Sequence, residues 1–116
     1  MSRPRHVRVG PLTYRVSTDI ADWKRLASEE MQDGKIAAWG YTHHASGTIL
    51  IDPNSNPTLQ RLTLLHEILH AAAFASGQLH DSKRDEEAWV VMAAAPLLDA
   101  LTRTKGLAEY LTGRDT

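Results

Sequence analysis

Alternating apolar and polar residues mark the start of the chain. The apolar positions are Val7, Val9, Leu12, Tyr14 and Val16, and Gly10-Pro11 interrupts them. A period of two is typical of half-buried strands, and a Gly-Pro pair is typical of a turn. The pattern therefore predicts two short strands or one hairpin. Its polar positions include four arginines, which we expect on the solvated face: Arg3, Arg5, Arg8 and Arg15.

A helix and a second hairpin are predicted next. Residues 20–33 carry apolar side chains at helical spacing, with Asp19 placed to cap the helix and Gly34 to end it. Residues 36–41 and 48–52 are rich in β-forming side chains and flank a turn at residues 45–47. The second of these strands is apolar enough to lie against a helix.

The strongest helical pattern follows a polar break. Pro57 suits the first helical position because its missing N–H would be unpaired there, and Asn56 can cap the helix. The helix should continue to Ser76 and end at Gly77. Its predicted apolar face consists of Leu59, Leu62, Leu65, Leu69, Ala72 and Ala73.

A second long helix should begin after Ser82, with Asp85 completing its cap. Its predicted buried stripe is Val90, Val91, Ala94, Leu98 and Leu101. Pro96 lies inside this helix, so a kink or a break is expected near residues 92–95. The last ten residues are predicted to form a frayed tail.

Composition is that of one globular domain over residues 1–116, and the predicted strands and helices place this domain in the α+β class. Apolar residues make up 42% of the chain and charged residues 23%. Thirteen basic against fourteen acidic residues give a formal charge of −1, which argues against a domain built to grip nucleic acid. The absence of cysteine excludes disulfides and Cys-ligated zinc. Because no stretch approaches the roughly 18 apolar residues of a membrane span, we expect a cytoplasmic protein.

The candidate chemistry lies in His66-Glu67-Ile68-Leu69-His70, inside the strongest helix. Imidazoles four residues apart project from the same side of a helix, so both can bind one metal ion. Glu67, rotated by about 100°, lies beside that ion, where it can take a proton from a metal-bound water, as in zinc hydrolases. Burying these polar groups without a partner would cost several kcal/mol. The alternative is a His–Glu–His cluster on a solvated face.

A catalytic zinc ion takes three protein ligands and keeps one position open, so a third ligand is needed. The later candidates are His80, Asp81, Asp85, Glu86 and Glu87. Glu87 lies on the buried stripe of the second long helix and should face the first, whereas Glu86 is rotated away and Asp85 serves the cap. Glu87 is therefore predicted as the third ligand, with Glu86 and Asp85 as alternatives. His80 is interpreted as a loop histidine.

Three further side chains precede the strand that leads to the metal helix: Tyr41, His43 and His44. In zinc hydrolases a nearby Tyr or His often stabilises the oxyanion of the tetrahedral intermediate, so each is a candidate for that role. Adjacent residues of a strand point to opposite faces, so at most one of the two histidines could serve. The alternative is that they are solvated turn residues.

Two segments resemble the small zincin metallopeptidases of the ImmA/IrrE type and their short phage- and prophage-encoded relatives. The first is Thr48-Ile49-Leu50-Ile51-Asp52, followed after a polar break by Leu62-Thr63-Leu64-Leu65-His66-Glu67-Ile68-Leu69-His70-Ala71. The second is Glu86-Glu87-Ala88-Trp89-Val90-Val91-Met92-Ala93-Ala94-Ala95-Pro96-Leu97-Leu98. The resemblance covers about residues 36–104.

This resemblance implies a zincin-like fold, in which a small antiparallel or mixed sheet of three or four strands packs on the metal helix. A second long helix follows and carries the third ligand. His66 and His70 would ligate Zn²⁺, Glu67 would be the general base, and a carboxylate within residues 85–87 would complete the site. The edge strand, here residues 48–52, would accept the substrate as an added strand.

The sequence thus predicts a zinc-dependent peptide-bond hydrolase that acts on a protein or peptide substrate. The rival hypothesis is a non-catalytic, zinc-stabilised module of phage or mobile-element origin that binds another protein. A fourth protein ligand such as His80 or Asp81 would favour this rival, because a catalytic site keeps an open position. A third hypothesis is a nucleic-acid accessory protein that acts through the N-terminal arginines.

Overall fold

The computed structural model describes residues 3–27, 39–77 and 83–115. These residues form an α+β arrangement in which helices cover a mixed sheet. In chain order the elements are β1 (His6–Val9), β2 (Leu12–Ser17), α1 (Ile20–Leu26), β3 (Gly40–His43), β4 (Thr48–Ile51), α2 (Pro57–Ala75), α3 (Lys83–Arg103) and α4 (Leu107–Leu111). Among the described residues, every helix is too short or too polar to cross a membrane.

The sheet has the strand order β1-β2-β4-β3. β1 and β2 form the predicted N-terminal hairpin, β2 and β4 are parallel, and β3 and β4 form the second hairpin. The first strand of that hairpin starts at Gly40 and runs to His43, later than predicted, and residues 36–38 lie outside the described residues. The sheet is therefore mixed and four-stranded, which agrees with the antiparallel or mixed sheet of three or four strands that the resemblance implied.

The prediction that residues 48–52 form an edge strand is wrong. β4 lies inside the sheet and pairs with β2 on one side and β3 on the other. Its residues Ile49, Leu50 and Ile51 are all buried, which is the pattern of a strand covered on both faces. Within the described residues, β3 is the edge strand on this side of the sheet.

Each face of the sheet is covered by a different helix. On one face Ile49 and Ile51 join Tyr14 and Val16 in a cluster with Ala71 of α2. On the other face Leu50 packs in a cluster with α1, formed by Trp23, Leu26 and Ala27. Because successive side chains of a strand alternate between faces, β4 connects both helices to one sheet.

Helix α2 has the predicted ends but a different buried face. The Asn56 side chain accepts a hydrogen bond of 2.8 Å from the Leu59 N–H, Pro57 occupies the first turn, and Gly77 after the helix has φ +72°. The buried positions of α2 are Thr63, Glu67, Ala71 and Ala73, with Leu64 and Ile68 packed against the core. The predicted stripe, apart from Ala73, is only half-buried. The position of the sheet and of α3 around α2 decides which of its side chains are buried.

Helix α3 is one continuous helix, so of the kink or break predicted near residues 92–95, a break does not occur. Pro96 is exposed, and water can therefore satisfy the carbonyl group that the proline leaves unpaired. Val90 and Ala94 of the predicted stripe are buried, whereas Val91 is 58% exposed. Adjacent residues of a helix are rotated by about 100°, so only one of the two valines can face α2.

The C-terminal segment is also more regular than predicted. In place of a frayed tail, residues Leu107–Leu111 form α4. Gly106, with φ +81°, makes the turn that separates α3 from α4. The Thr112 N–H continues the helical pattern by donating to the Ala108 carbonyl group at 3.1 Å.

Asp22 connects β2 to helix α1. Its carboxylate accepts hydrogen bonds from Arg15 (2.9 Å), Ser17 (2.7 Å) and Arg25 (3.0 Å). These three donors lower the pKa of Asp22 to about 2.

The four N-terminal arginines are exposed, as predicted. Asp19 caps α1 as predicted, whereas residues 28–38, with the expected stop at Gly34, lie outside the described residues.

Replacing Asp22 by Asn should lower stability at neutral pH and remove a pH dependence in acid. A carboxyl group with pKa 3.8 when unfolded and about 2 when folded stabilises the protein above the first value. That stabilising contribution is lost as the pH falls through the folded-state pKa of about 2. Because the ion pairs lie near the surface, the loss at pH 7 should not exceed about 1 kcal/mol.

Urea unfolding of wild type and Asp22→Asn between pH 7 and pH 2 measures this difference in the free energy of unfolding. The two proteins should converge in stability at the acid end. Asp99→Asn, which removes an exposed ion pair with Arg103, is the control and should change little. A difference that stays constant across the whole pH range would contradict the role of Asp22.

Candidate metal centre

Helix α2 places two imidazoles side by side. His66 and His70 are one turn apart on the side of the helix that meets α3, and their ring centroids are 5.0 Å apart. The capped start of α2 and its packing on the sheet hold both rings on one rigid element. The spacing of four residues therefore brings the two rings together, as expected from helical geometry.

Helix α3 supplies a carboxylate between these rings. Glu87 Oε1 lies 2.9 Å from His66 Nε2, and Glu87 Oε2 lies 2.6 Å from His70 Nε2. One ligand atom from each of the three residues lies within 4.8 Å of the others, so this group could hold a metal ion. The three residues that the sequence singled out as metal ligands are thus neighbours in space.

The two alternatives to Glu87 differ in their positions. Glu86 Oε2 lies 2.6 Å from Nδ1 of His70, the ring nitrogen that faces away from Glu87. Helical rotation predicted that Glu86 points away from the site, but its long side chain reaches the far side of the His70 ring. Asp85 is exposed and does not belong to the cluster. His80 and Asp81 lie outside the described residues.

Glu67 is held beside the cluster and is 6% exposed. The Thr42 hydroxyl of β3 donates a hydrogen bond of 2.9 Å to Glu67 Oε1, while Glu67 Oε2 lies 3.8 Å from His66 Nε2. Burial raises the pKa of Glu67 to about 7, although His70 and the Thr42 hydrogen bond act in the opposite direction. One carboxylate oxygen is therefore bound to the sheet and the other lies on the histidine side.

The electrostatics of the cluster favour a cation. Burial lowers the pKa of His66, and the adjacent Glu87 carboxylate offsets this only in part. Burial also opposes the charged form of His70, but three surrounding carboxylates outweigh it and raise the pKa of His70. Three carboxyl groups around two imidazoles give an excess of acidic groups that a divalent cation would balance.

The close approach of β3 to α2 depends on Gly40. A Cβ atom at this position would overlap Thr63 Cγ2 and would lie 2.9 Å from the Leu50 carbonyl oxygen. It would also lie 3.3 Å from Glu67 Cγ. The absence of a side chain thus lets the edge strand lie directly against the helix that carries the site.

A cleft of about 560 Å³ opens over the cluster. Its floor contains the histidines and carboxylates described above, and β3 forms one wall. The remaining lining residues are Trp39, Gly40, Tyr41, Thr42, His44, Leu59, Leu62 and Thr63. Clefts with an apolar wall and a few converging polar groups are the usual form of a small-molecule or peptide site.

The three oxyanion candidates are separated by the sheet. Tyr41 lines the cleft but packs against the α1 cluster, because its strand partner is Leu50 on that face. His43 Nδ1 lies 2.7 Å from the Ser46 hydroxyl in the turn, and His43 does not line the cleft. His44 lies in the cleft on the side of α2.

Comparison with known proteins assigns the chain to a family. The sequence model of the IrrE N-terminal-like domain, of the M78 peptidases, matches residues 25–101. The chain belongs to the IrrE N-terminal-like family. The match confirms the resemblance to the ImmA/IrrE group and makes this chain a metallopeptidase-like domain. Neither a curated protein nor a solved structure matches the chain.

Three contacts of this M78-type domain were missed by sequence reasoning. They are the hydrogen bond from Thr42 to Glu67, the contact of Glu86 with His70, and the hydrogen bond between Tyr14 and His44. The residues in these pairs are 16 to 30 positions apart. The alternation of β3 could have placed Thr42 on the α2 face, but local pattern does not identify its partner.

Replacing Gly40 by Ala should destabilise the domain, because the new methyl group meets a backbone carbonyl oxygen as well as the Thr63 side chain. Forced overpacking of this kind costs roughly 1–3 kcal/mol. Thr63→Ala in the Gly40→Ala background should recover part of the loss but not all of it, since Leu50 O remains. Urea unfolding of the single and double variants provides the test, and wild-type stability of Gly40→Ala would overturn the steric argument.

Proposed function

We propose that the chain is a zinc-dependent peptide-bond hydrolase with His66, His70 and Glu87 as metal ligands and Glu67 as general base. The observation that carries this proposal is the convergence of two imidazole nitrogens and one carboxylate beside a buried, unligated carboxyl group. Family membership supports the same reaction class.

The donor set suits zinc. Two histidines and one glutamate are a known ligand set of catalytic zinc sites, which keep a further position for water or substrate. Glu86 would orient His70 through its second ring nitrogen, as carboxylates commonly do for zinc-bound histidines. When bound, the ion supplies a Lewis acid that polarises a carbonyl group and makes water more acidic.

Glu67 is the group that favours a catalyst over a zinc-stabilised binding module. Burying a carboxyl group is costly, and a purely structural site does not need one that stands beside the ligands. Because Thr42 occupies Oε1, Oε2 is the oxygen that can take a proton from the attacking water. Glu67 would then deliver that proton to the leaving amine.

The position of β3 indicates how a peptide substrate would bind. In the part of the chain that the structure describes, β3 is an edge strand and lines the cleft, whereas the strand expected from the resemblance, β4, is internal. An extended peptide could add to β3 by main-chain hydrogen bonds, which would place a peptide bond over the cluster. Trp39, Leu59 and Leu62 line the same cleft and offer apolar surface to its side chains.

Zinc binding should depend on the cluster in a graded way. His66→Ala and His70→Ala should abolish stoichiometric zinc binding, and Glu87→Gln should weaken it strongly because it removes the charged ligand. Glu86→Gln should weaken binding by about 10–100-fold, the usual cost of losing a carboxylate that orients a ligand histidine. Elemental analysis and chelator competition on purified protein measure both stoichiometry and affinity.

Glu109→Gln is the matched control, because Glu109 is an exposed residue of α4 and does not line the cleft. It should bind zinc as wild type does. Wild-type zinc affinity in Glu87→Gln would contradict the ligand assignment.

Glu67→Gln should bind zinc normally and lose hydrolysis, because the amide cannot accept the proton. Removing a general base typically lowers the rate by about 10²–10⁴-fold. Cleavage of fluorescently labelled casein by zinc-loaded proteins provides the measurement, with Glu109→Gln as control. Undiminished cleavage by Glu67→Gln would disprove its role. A zinc-loaded wild type that cleaves nothing would instead favour the rival module of phage or mobile-element origin.

A further inference from the structure

His44 stacks on Phe74, which lies on the same side of α2 as the two candidate ligands. On α2, Phe74 follows His70 by one helical turn, as His70 follows His66. The rings of His44 and Phe74 are stacked, with centroids 4.1 Å apart and an interplanar angle of 12°. His44 therefore lies over α2 at the end of the cleft next to His70.

A buried tyrosine holds the other side of this histidine. The Tyr14 hydroxyl lies 3.0 Å from His44 Nδ1, and its ring meets the imidazole edge-on at a centroid distance of 6.1 Å. Tyr14 is 1% exposed and belongs to the core cluster under α2. The turn adds a backbone restraint, since the Gly47 N–H donates to the His44 carbonyl oxygen at 3.1 Å.

The direction of this hydrogen bond follows from the need of the buried Tyr14 hydroxyl for an acceptor. Burial raises the pKa of Tyr14, so the phenol is protonated at neutral pH. Within the described residues, His44 Nδ1 is the partner of this hydroxyl, and a buried O–H without an acceptor would cost free energy. Tyr14 therefore donates, Nδ1 of His44 is the acceptor, and the ring hydrogen lies on Nε2.

We propose that Tyr14 is a positioning residue that holds His44 with its Nε2–H available to the cleft, where it donates a hydrogen bond to the oxygen of the scissile carbonyl. This proposal rests on the hydrolase function proposed above. His44 is the member of the predicted oxyanion trio that lies on the α2 side. Burial also keeps the pKa of His44 below its ordinary value despite the charge of Glu86, so the ring stays neutral at pH 7.

Tyr14 lies outside the segment that defines the family match, residues 25–101. The N-terminal hairpin nevertheless contributes to the same core as α2, through Tyr14 and Val16. Tyr14 would therefore give the N-terminal hairpin a role in catalysis in addition to its role in the core.

Kinetics separate a positioning role from a structural one. For cleavage of labelled casein, His44→Ala should lower kcat by about 100-fold, the scale of losing one oxyanion donor. Tyr14→Phe should lower kcat by roughly 10-fold, as for loss of a partner that orients a functional histidine. KM and bound zinc should change little in Tyr14→Phe, and the melting temperature should fall by only a few degrees, the cost of one hydrogen bond. Tyr110→Phe, an exposed tyrosine of α4, is the matched control.

A double-mutant cycle shows whether Tyr14 acts through His44. The double variant Tyr14→Phe/His44→Ala should be no slower than His44→Ala alone, because the hydroxyl has nothing left to position. Multiplicative losses, or a Tyr14→Phe effect confined to stability, would overturn the proposal.

The protonation of His44 is measured independently of catalysis by nitrogen NMR of the zinc-loaded protein, with His44→Gln to assign the signals. The expected state is a neutral ring with hydrogen on Nε2 and a hydrogen-bonded Nδ1, whose shift changes in Tyr14→Phe. Hydrogen on Nδ1 would overturn the proposal whatever the activity. If wild type has the expected ring state but cleaves nothing, the hydrolase function and the donor role both fail, and only the positioning contact stands.

Discussion

The contact on which the site depends is a carboxylate held between two imidazoles. Glu87 of α3 reaches His66 and His70 of α2, at 2.9 and 2.6 Å. Helix α3 packs against α2, with Val90 and Ala94 buried along their interface, so this helix pair fixes the third group relative to the other two. Because all three groups can ligate a metal, the interaction that joins the helices and the interaction that would bind a cation use the same atoms.

The second requirement of the site is the close contact between α2 and the edge strand β3. Small residues of β3 allow this contact. Gly40 leaves room for the helix, and the side chain of Thr42 is short enough to donate a hydrogen bond to Glu67 from within the interface. Glu67 is consequently fixed by the sheet, while the histidines are oriented by α3. The side chain of Glu67 and those of the histidines are therefore held by different elements, although all three residues belong to α2.

Membership in the IrrE N-terminal-like family and the geometry of the cluster support the same class of chemistry by independent routes. The family match covers α2 and most of α3, but the core that supports α2 includes the N-terminal hairpin as well. Tyr14 links that hairpin to His44 at the end of the cleft. The proposed active site is therefore built from β2, β3, the following turn, α2 and α3 together, although its recognisable motif occupies five consecutive residues.

The sequence by itself determined the features that depend on neighbours along the chain. The spacing of His66 and His70, the cap at Asn56 and the two hairpins are set within a few residues, and helical rotation sufficed to place Glu87 on the face of α3 that meets α2. Strand order, the buried face of α2 and the contacts of Thr42, Glu86 and Tyr14 were decided only by tertiary structure. The apolar run at Ile49 indicates burial on both faces, but not which strands lie beside it. Such contacts depend on the packing of segments far apart in the chain, which local periodicity does not encode.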